Sequence, residues 1–179
     1  MPNRYEVRLA AVGGQGLITA GALLAKGVIE KKGMYATQSP TYTSQVRGGP
    51  TKVDILMDKE EILFPQATAI DLYFATAQKS FDLYYHHIKS DAVIIVDSDL
   101  VTKLPPGMPQ KLYGIPLTKE TVAHVGNIVT VSVVALGIVA KVSKLLSKEE
   151  LQNIVVSSFP KSAEELNLKA IDLGYSLIS

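Results

Sequence analysis

The clearest hydrophobic pattern lies near the start of the chain, where a strand pattern gives way to a helical one. Residues 5–12 turn from alternation into an apolar run, which predicts a strand that ends near Val12. Glycines follow at positions 13, 14 and 16, and apolar residues then recur at helical spacing from Leu17 to Val28. The sequence therefore predicts a strand, a glycine turn and a helix in direct succession.

The rest of the pattern alternates between strands and helices and then becomes helical. Strands are predicted at residues 35–39, 52–57, 70–76, 92–96 and 111–115. Helices are predicted at 78–88 and 118–124, from an Asn127 cap to about 145, and after two capping-box patterns at 147–150 and 162–165. This order predicts a three-layer α/β/α domain with a mainly parallel sheet and a helical C-terminus, formed by residues 1–179 as a single domain.

Three polar or glycine-rich segments follow predicted strands. They are the glycine turn, residues 40–50 with Arg47, and residues 97–99. Ligands of parallel α/β sheets bind outside the carboxyl ends of the strands. We therefore expect these three segments to face the same edge of the sheet.

The glycine turn has the chemistry of a phosphate site. Glycine adopts backbone conformations that side chains forbid, and the first N–H groups of the following helix have no partner inside that helix. Those groups lie at the positive end of the helix dipole, which favours anions. The candidate binding residues here are Gly13, Gly14, Gln15 and Gly16. The alternative is a turn that only packs the helix on the strand.

A dinucleotide fingerprint fits this turn poorly. The motif needs glycine at position 11, where the chain has Ala11, and an acidic residue after the second strand, which here ends near Thr37 and Gln38. A P-loop is excluded because no Gly-Lys-Ser or Gly-Lys-Thr follows the turn. A dinucleotide-binding regulatory module stays the alternative from another functional class.

Arg47, next to Gly48 and Gly49, is the second candidate for ligand binding. Arginine in a loop presents a planar fork that binds a phosphate or a carboxylate through two hydrogen bonds. The alternative is an arginine that braces its loop through backbone carbonyls.

The remaining polar candidates favour structural roles. Asp97 and Asp99 suit turn and cap chemistry better than a Mg²⁺ site, which usually also needs phosphates and waters. His86 and His87 are adjacent, so on the predicted helix they point apart and form no metal pair. We assign no catalytic residue and no metal ligand. The residues alone favour a phosphate-binding or interaction module over a complete enzyme.

Composition excludes several classes of function. The chain has 179 residues, with 18 Lys and Arg against 17 Asp and Glu, and it contains no cysteine. This charge balance gives no footprint for nucleic acid or an anionic membrane. The absence of cysteine removes disulfides and ordinary iron–sulfur clusters from this chain. The polar N-terminus and the short apolar run at 128–140 predict neither a signal peptide nor a membrane span, so we expect a cytoplasmic protein.

The motifs at this spacing resemble the gamma subunit of 2-oxoacid:ferredoxin oxidoreductases, over nearly the whole chain. The resemblance rests on the glycine turn with Thr19 and Ala20, the Arg47–Gly49 element, and residues 96–99, 126–127 and 165–167. Residues 37–39 and the Arg47–Gly49 element favour 2-oxoglutarate-type or general 2-oxoacid members over pyruvate ones. The beta subunit of indolepyruvate oxidoreductases has a similar signature and is the near alternative.

The resemblance implies an oxidoreductase subunit that is inactive alone. In that family the complex converts a 2-oxoacid, coenzyme A and oxidised ferredoxin to an acyl-CoA, CO₂ and reduced ferredoxin. The implied partners are alpha and beta subunits, with a delta subunit as a further candidate, and ferredoxin. Thiamine diphosphate, Mg²⁺ and [4Fe-4S] clusters are expected on those other subunits. This chain is expected to help assemble the complex and to bind coenzyme A through Gly13, Gly14, Gln15, Gly16, Arg47, Gly48 and Gly49.

Overall fold

The structure, a computed structural model, describes residues 4–41 and 48–178. The strands within these ranges are β1 (Arg4–Val12), β2 (Tyr35–Thr41), β3 (Pro50–Asp58), β4 (Ile70–Ala75), β5 (Ile88–Asp97) and β6 (Lys111–Ile115). The helices are α1 (Leu17–Lys32), α2 (Gln78–Tyr84), α3 (Leu117–His124), α4 (Val131–Ser143), α5 (Lys148–Ser158) and α6 (Glu164–Ser176). Short 3₁₀ turns at Ile128–Thr130 and Lys161–Ala163 precede α4 and α6.

The six strands form one mixed sheet in the order β2-β3-β1-β4-β5-β6. The pairs β1–β4, β4–β5 and β5–β6 are parallel, whereas β3 is antiparallel to both of its neighbours. Five strands therefore run in one direction and β3 runs against them. The predicted fold class, an α/β domain with a mainly parallel sheet, is confirmed.

The two faces of the sheet are covered unequally. Helices α1, α3, α4, α5 and α6 pack on one face, around a core that includes Leu9 and Phe74. On the other face α2 packs through Phe81 against Tyr73. Every residue of α4 from Val133 to Ala140 is buried, which explains why its sequence lacks a polar stripe. No helix in the described ranges is long and apolar enough to cross a membrane.

Helices α4 and α6 cross in direct backbone contact. A Cβ atom built on Gly174 would overlap the carbonyl oxygen of Val134, and one on Gly137 would lie 3.0 Å from the carbonyl oxygen of Ile171. Both positions therefore need a residue without a side chain.

The helix predicted at 78–88 is shorter than expected. Helix α2 ends at Tyr84, and β5 already begins at Ile88. Arg8 on β1 explains the early end, because its Nη1 donates to the carbonyl oxygens of Tyr84 at 3.0 Å and His86 at 2.9 Å. The prediction that His86 and His87 point apart on a helix is wrong, since they follow the helix and their ring centroids lie 5.0 Å apart.

The predicted helix caps have mixed outcomes. The capping box at Ser147 and Glu150 is confirmed, with both reciprocal hydrogen bonds present. The second capping box, at residues 162–165, is wrong, because α6 begins after Ala163 and has no side-chain cap. Asn127 caps the 3₁₀ turn rather than α4 itself, through a 3.0 Å bond from the N–H of Val129 to its Oδ1.

Candidate functional site

Five strands end at one edge of the sheet, which we call the carboxyl edge. The glycine turn follows β1 there, Thr76 follows β4, and residues 98–99 follow β5. Since β3 runs the other way, its first residue, Pro50, lies at the same edge, next to Gly48 and Gly49. The structure thus brings the glycine turn, Gly48–Gly49 and the segment after Asp97 to one edge, as the sequence predicts. Arg47 lies outside the described residues.

Gly13 pairs directly with the residues before β3. Its N–H donates to the carbonyl oxygen of Gly49 at 2.9 Å, and its own carbonyl accepts from the N–H of Gly48 at 3.3 Å. These bonds extend the β1–β3 ladder beyond the Val12–Pro50 pair. The two predicted glycine elements are therefore joined by backbone hydrogen bonds. The N–H of Gly13 donates to Gly49 and is not available to a ligand.

Gly14 and Gly16 adopt backbone conformations that favour glycine, with φ of 102° and 74°. Nothing lies within 4 Å of a Cβ built on Gly14, so open space adjoins this residue. A Cβ on Gly16 would instead lie 3.0 Å from Oγ of Ser132, at the start of α4. The backbone at Gly14 is therefore accessible from outside, whereas Gly16 lets α1 and α4 approach each other.

The side chain of Gln15 is held by a buried hydroxyl. Its Oε1 accepts the N–H of Val12 at 3.1 Å and the Oγ1–H of Thr76 at 2.6 Å. Thr76 is fully buried, and its own N–H donates to the carbonyl of Ala10 at 3.0 Å. Because both partners of Oε1 are donors, the amide NH₂ of Gln15 is left to donate to other groups. Thr76 is not among the residues predicted from the sequence, because its contact with Gln15 depends on β4 lying next to β1 in the sheet.

Asp97 joins β5 to α3. It is fully buried, and its Oδ2 accepts from the N–H of Thr118 at 3.0 Å and from the Oγ1–H of Thr118 at 2.6 Å. Its Oδ1 accepts the N–H of Asp99 at 3.2 Å. These are the turn and cap contacts favoured above. Across residues 4–41 and 48–178, no group of three or more histidine or acidic side chains is placed to hold a metal ion.

A buried ion pair lies below the carboxyl edge, on the face covered by α2. Arg8 donates to Asp54 from Nε at 2.6 Å and from Nη2 at 3.0 Å, and Lys52 also contacts this carboxylate. Burial lowers the pKa of the neighbouring His86, and the charge of Arg8 lowers it further. His86 is therefore protonated less readily than a free histidine.

A comparison with protein-family models gives the decisive observation. The model described as pyruvate ferredoxin/flavodoxin oxidoreductase matches residues 6–177. The chain belongs to this family. Curated members of the pyruvate ferredoxin/flavodoxin oxidoreductase family include 2-oxoglutarate synthase subunit KorC from Methanocaldococcus jannaschii, to which the chain is 33% identical over 175 residues, covering 97% of this chain and 94% of the relative.

Solved structures agree with this family. The gamma subunit of a keto/oxoacid ferredoxin oxidoreductase from Geobacter sulfurreducens is 34% identical, with a TM-score of 0.88 and coverage of 97% of this chain and 95% of that chain. The predicted function, a gamma subunit of a 2-oxoacid:ferredoxin oxidoreductase, is confirmed. The chain is thus one subunit of a multi-subunit enzyme of a class that uses thiamine diphosphate, coenzyme A and iron–sulfur clusters.

The same fold also occurs inside a longer chain. The 2-oxoglutarate:ferredoxin oxidoreductase from Magnetococcus marinus, solved with 2-oxoglutarate, coenzyme A and succinyl-CoA bound, matches with a TM-score of 0.86 at 20% identity. The match covers 99% of this chain but only 31% of that chain. At this identity the likeness is one of fold.

Proposed function

We propose that this chain binds coenzyme A at the carboxyl edge and holds it for a reaction centre on other subunits of the complex. The observation that carries the proposal is the fixed amide of Gln15, whose Oε1 is occupied by Val12 and Thr76, so that its NH₂ is the group offered outward. It lies in the turn that opens α1, where backbone donors and the helix dipole favour an anion.

The donors at this edge suit the phosphates of coenzyme A. Among the described residues, no turn or loop hydrogen bond runs from the N–H of Gly14 or Gly16 to a backbone carbonyl. Open space adjoins Gly14, where a diphosphate can approach the backbone. Gly48, Gly49 and, by its sequence position alone, Arg47 complete the proposed binding set. An adenine dinucleotide is disfavoured, because Ser39, Pro40 and Thr41 end β2 where a ribose-binding carboxylate would be needed.

The division of labour in the complex follows from the composition of the chain. Without cysteine, this chain supplies no thiolate ligand for an iron–sulfur cluster. We therefore assign the [4Fe-4S] clusters, thiamine diphosphate and Mg²⁺ to alpha and beta subunits, with a delta subunit as a further candidate, and the electrons to ferredoxin. The KorC relative supports 2-oxoglutarate as the 2-oxoacid. A cytoplasmic location and a single domain over residues 1–179 complete the proposal.

The role of this chain in the reaction is to bind and orient one substrate. Thiamine diphosphate supplies the chemistry that removes CO₂ from the 2-oxoacid. Backbone N–H groups of the turn and the Gln15 amide fix the phosphates of coenzyme A, and the helix dipole compensates part of their charge. Fixing the ligand in this way raises the effective concentration of its thiol at the reaction centre.

Calorimetry on the purified holoenzyme tests this proposal. Gly14→Val adds a side chain to the open space beside the turn and should weaken coenzyme A binding at least about 10-fold. In kinetic measurements on the same enzyme, the Michaelis constant for the 2-oxoacid should stay unchanged. Gly33→Val is the matched control, because Gly33 also has positive φ, at 60°, and open space around it, but ends α1 at the far end of the helix. Wild-type affinity in a folded, assembled Gly14→Val enzyme would overturn the coenzyme A site.

The isolated chain provides a second test. We expect it to be colourless and unable to oxidise 2-oxoacids, because it holds no cysteine. Visible absorbance from an intrinsic cluster, or activity of the chain alone, would contradict the proposed division of labour. Tight binding of NAD in place of coenzyme A would favour the dinucleotide-binding module instead.

A further inference from the structure

Exposed apolar side chains border the carboxyl edge. Ile128 is 59% exposed and Val129 is 78% exposed in the 3₁₀ turn before α4. The two residues are adjacent in the chain, so their side chains belong to one part of the surface. We call Ile128 and Val129 the apolar edge patch.

The apolar edge patch lies beside the proposed ligand site. The 3₁₀ turn leads directly into α4, whose second residue, Ser132, lies 3.0 Å from a Cβ built on Gly16. The glycine turn and the apolar edge patch are therefore separated by little more than the start of one helix.

The turn that carries the patch is built independently of its two apolar side chains. Asn127 accepts the N–H of Val129 at 3.0 Å through Oδ1, and its carbonyl accepts the Oγ1–H of Thr130 at 2.7 Å. Thr130 is buried, which anchors the turn to the core. Ile128 and Val129 are thus exposed on a turn that is already ordered, so a partner that contacts them loses little conformational entropy in ordering this turn.

We propose that the apolar edge patch is the docking surface for the subunit that carries the reaction centre. This inference rests on the proposed function, since the thiol of coenzyme A must meet an acyl group that this chain has no means to generate. The subunit that generates it must therefore border the carboxyl edge. Exposed aliphatic side chains at the centre of such a contact exclude water and stabilise it.

The longer relative supports this choice of occupant. In the Magnetococcus enzyme the same fold makes up 31% of one polypeptide, so the rest of that chain is covalently joined to it. Since this chain is one subunit of a multi-subunit enzyme, contacts with a reaction centre on another subunit form between separate chains, and an exposed apolar surface stabilises such contacts. Polar residues precede the patch in the chain, including Asn127 and the His124–Glu120 pair at 3.1 Å, and they are of the kind found at the polar rim of a protein interface.

The test compares two doubly substituted holoenzymes, with a tag on this chain. Ile128→Asp with Val129→Asp places charges in the patch, whereas Leu63→Asp with Phe64→Asp changes an equally apolar pair between β3 and β4, at the opposite edge, with exposures of 86% and 61%. Acidic side chains near the N-terminus of α4 interact favourably with the helix dipole, so the Asp variant of the patch is expected to fold. If the melting curve of the Asp variant shows that it is unfolded, Ile128→Ser with Val129→Ser is used in its place.

Mass photometry on serial dilution gives the dissociation constant of the complex, with the subunits identified by mass. We expect about a 100-fold rise for the patch variant and no change for the Leu63 and Phe64 variant. Retention of wild-type assembly by both patch variants, or equal dissociation of the control, would overturn the docking surface. Because this measurement contains no coenzyme A, its failure is separate from a failure of the Gly14→Val calorimetry.

Discussion

The buried hydroxyl of Thr76 donates to Oε1 of Gln15 across 2.6 Å, and this contact decides which end of the Gln15 amide faces outward. The second partner of Oε1, the N–H of Val12, is also a donor. With the oxygen held by two donors, the NH₂ end is the one left free to donate. Thr76, directly after β4, thus determines which end of the Gln15 side chain is free to donate in the turn after β1.

Thr76→Val should weaken coenzyme A binding by releasing Gln15. A neutral hydrogen bond contributes about 0.5–1.5 kcal/mol, which corresponds to roughly a 2- to 13-fold rise in the Michaelis constant for coenzyme A. Thr76→Ser keeps the hydroxyl but loses the methyl group that Thr76→Val retains, and it should keep a Michaelis constant near the wild-type value. Steady-state kinetics of the holoenzyme with each substrate varied in turn provide the measurement. Equal effects of both variants, or a change in the 2-oxoacid constant alone, would leave Thr76 a packing residue only.

Arg8→Met should destabilise the fold without a specific effect on coenzyme A. The substitution leaves the buried carboxylate of Asp54 with Lys52 as its partner and frees the carbonyls of Tyr84 and His86. Breaking a buried pair from one side costs about 3–5 kcal/mol, and the remaining Lys52 contact places the expected loss near the lower value. Urea unfolding of the isolated chain measures it. Adding Asp54→Leu should recover part of the stability, and a double variant less stable than Arg8→Met would contradict the argument.

Gly174→Ala should separate α4 from α6. The new Cβ overlaps the carbonyl oxygen of Val134, which belongs to a helix backbone and cannot rotate away. Overpacking of this kind costs about 1–3 kcal/mol. Gly114→Ala is the control, because a Cβ there meets only Cβ of Ser98 at an ordinary 3.5 Å. Thermal unfolding should show a clear loss for the first variant and little for the second, and similar melting temperatures would refute the close crossing.

Glu150→Gln should reduce the acid sensitivity of the fold. The Lys32 ammonium, at 2.8 Å, and the N–H of Ser147 hold the pKa of Glu150 below its ordinary value of 4.5. In the unfolded chain the Glu150 carboxylate has its ordinary, higher pKa and binds the proton more tightly. Its stabilisation of the fold is therefore complete above pH 4.5 and is lost as the pH falls through the lowered pKa of the folded state. Glutamine keeps the capping geometry but has no charge to lose. Chemical unfolding at pH 7 and pH 3.5 should show a smaller difference for the variant, and equal differences would exclude the linkage.

Local pattern was sufficient for most elements of the fold. The strand at 111–115 is the observed β6, and the glycine turn starts α1 where helical spacing begins. The antiparallel direction of β3 was not predicted, because the predicted strands at 35–39 and 52–57 leave about a dozen residues between them, enough for a parallel crossover. In the structure β2 ends at Thr41 and β3 begins at Pro50, so the connection between them is too short for a parallel arrangement.

The features that pattern did not predict depend on contacts distant in sequence. Helix α2 ends at Tyr84 because Arg8, on another element, takes up the carbonyls that would continue it. Thr76 acts on Gln15 only because β4 lies next to β1 in the sheet. Neither relation leaves a periodic or compositional signal in its own segment, so local inspection cannot find it.

The burial of α4 on all sides has a consequence for the time scales of this molecule. Residues 133–140 are all buried, so we expect their amides to exchange hydrogens only when the domain opens as a whole. The first turn of α4 supports Gly16 through Ser132, and the turn before it carries Ile128 and Val129. The proposed ligand surface and the proposed partner surface are therefore both attached to this buried helix, so we expect both to keep their shape until the domain unfolds.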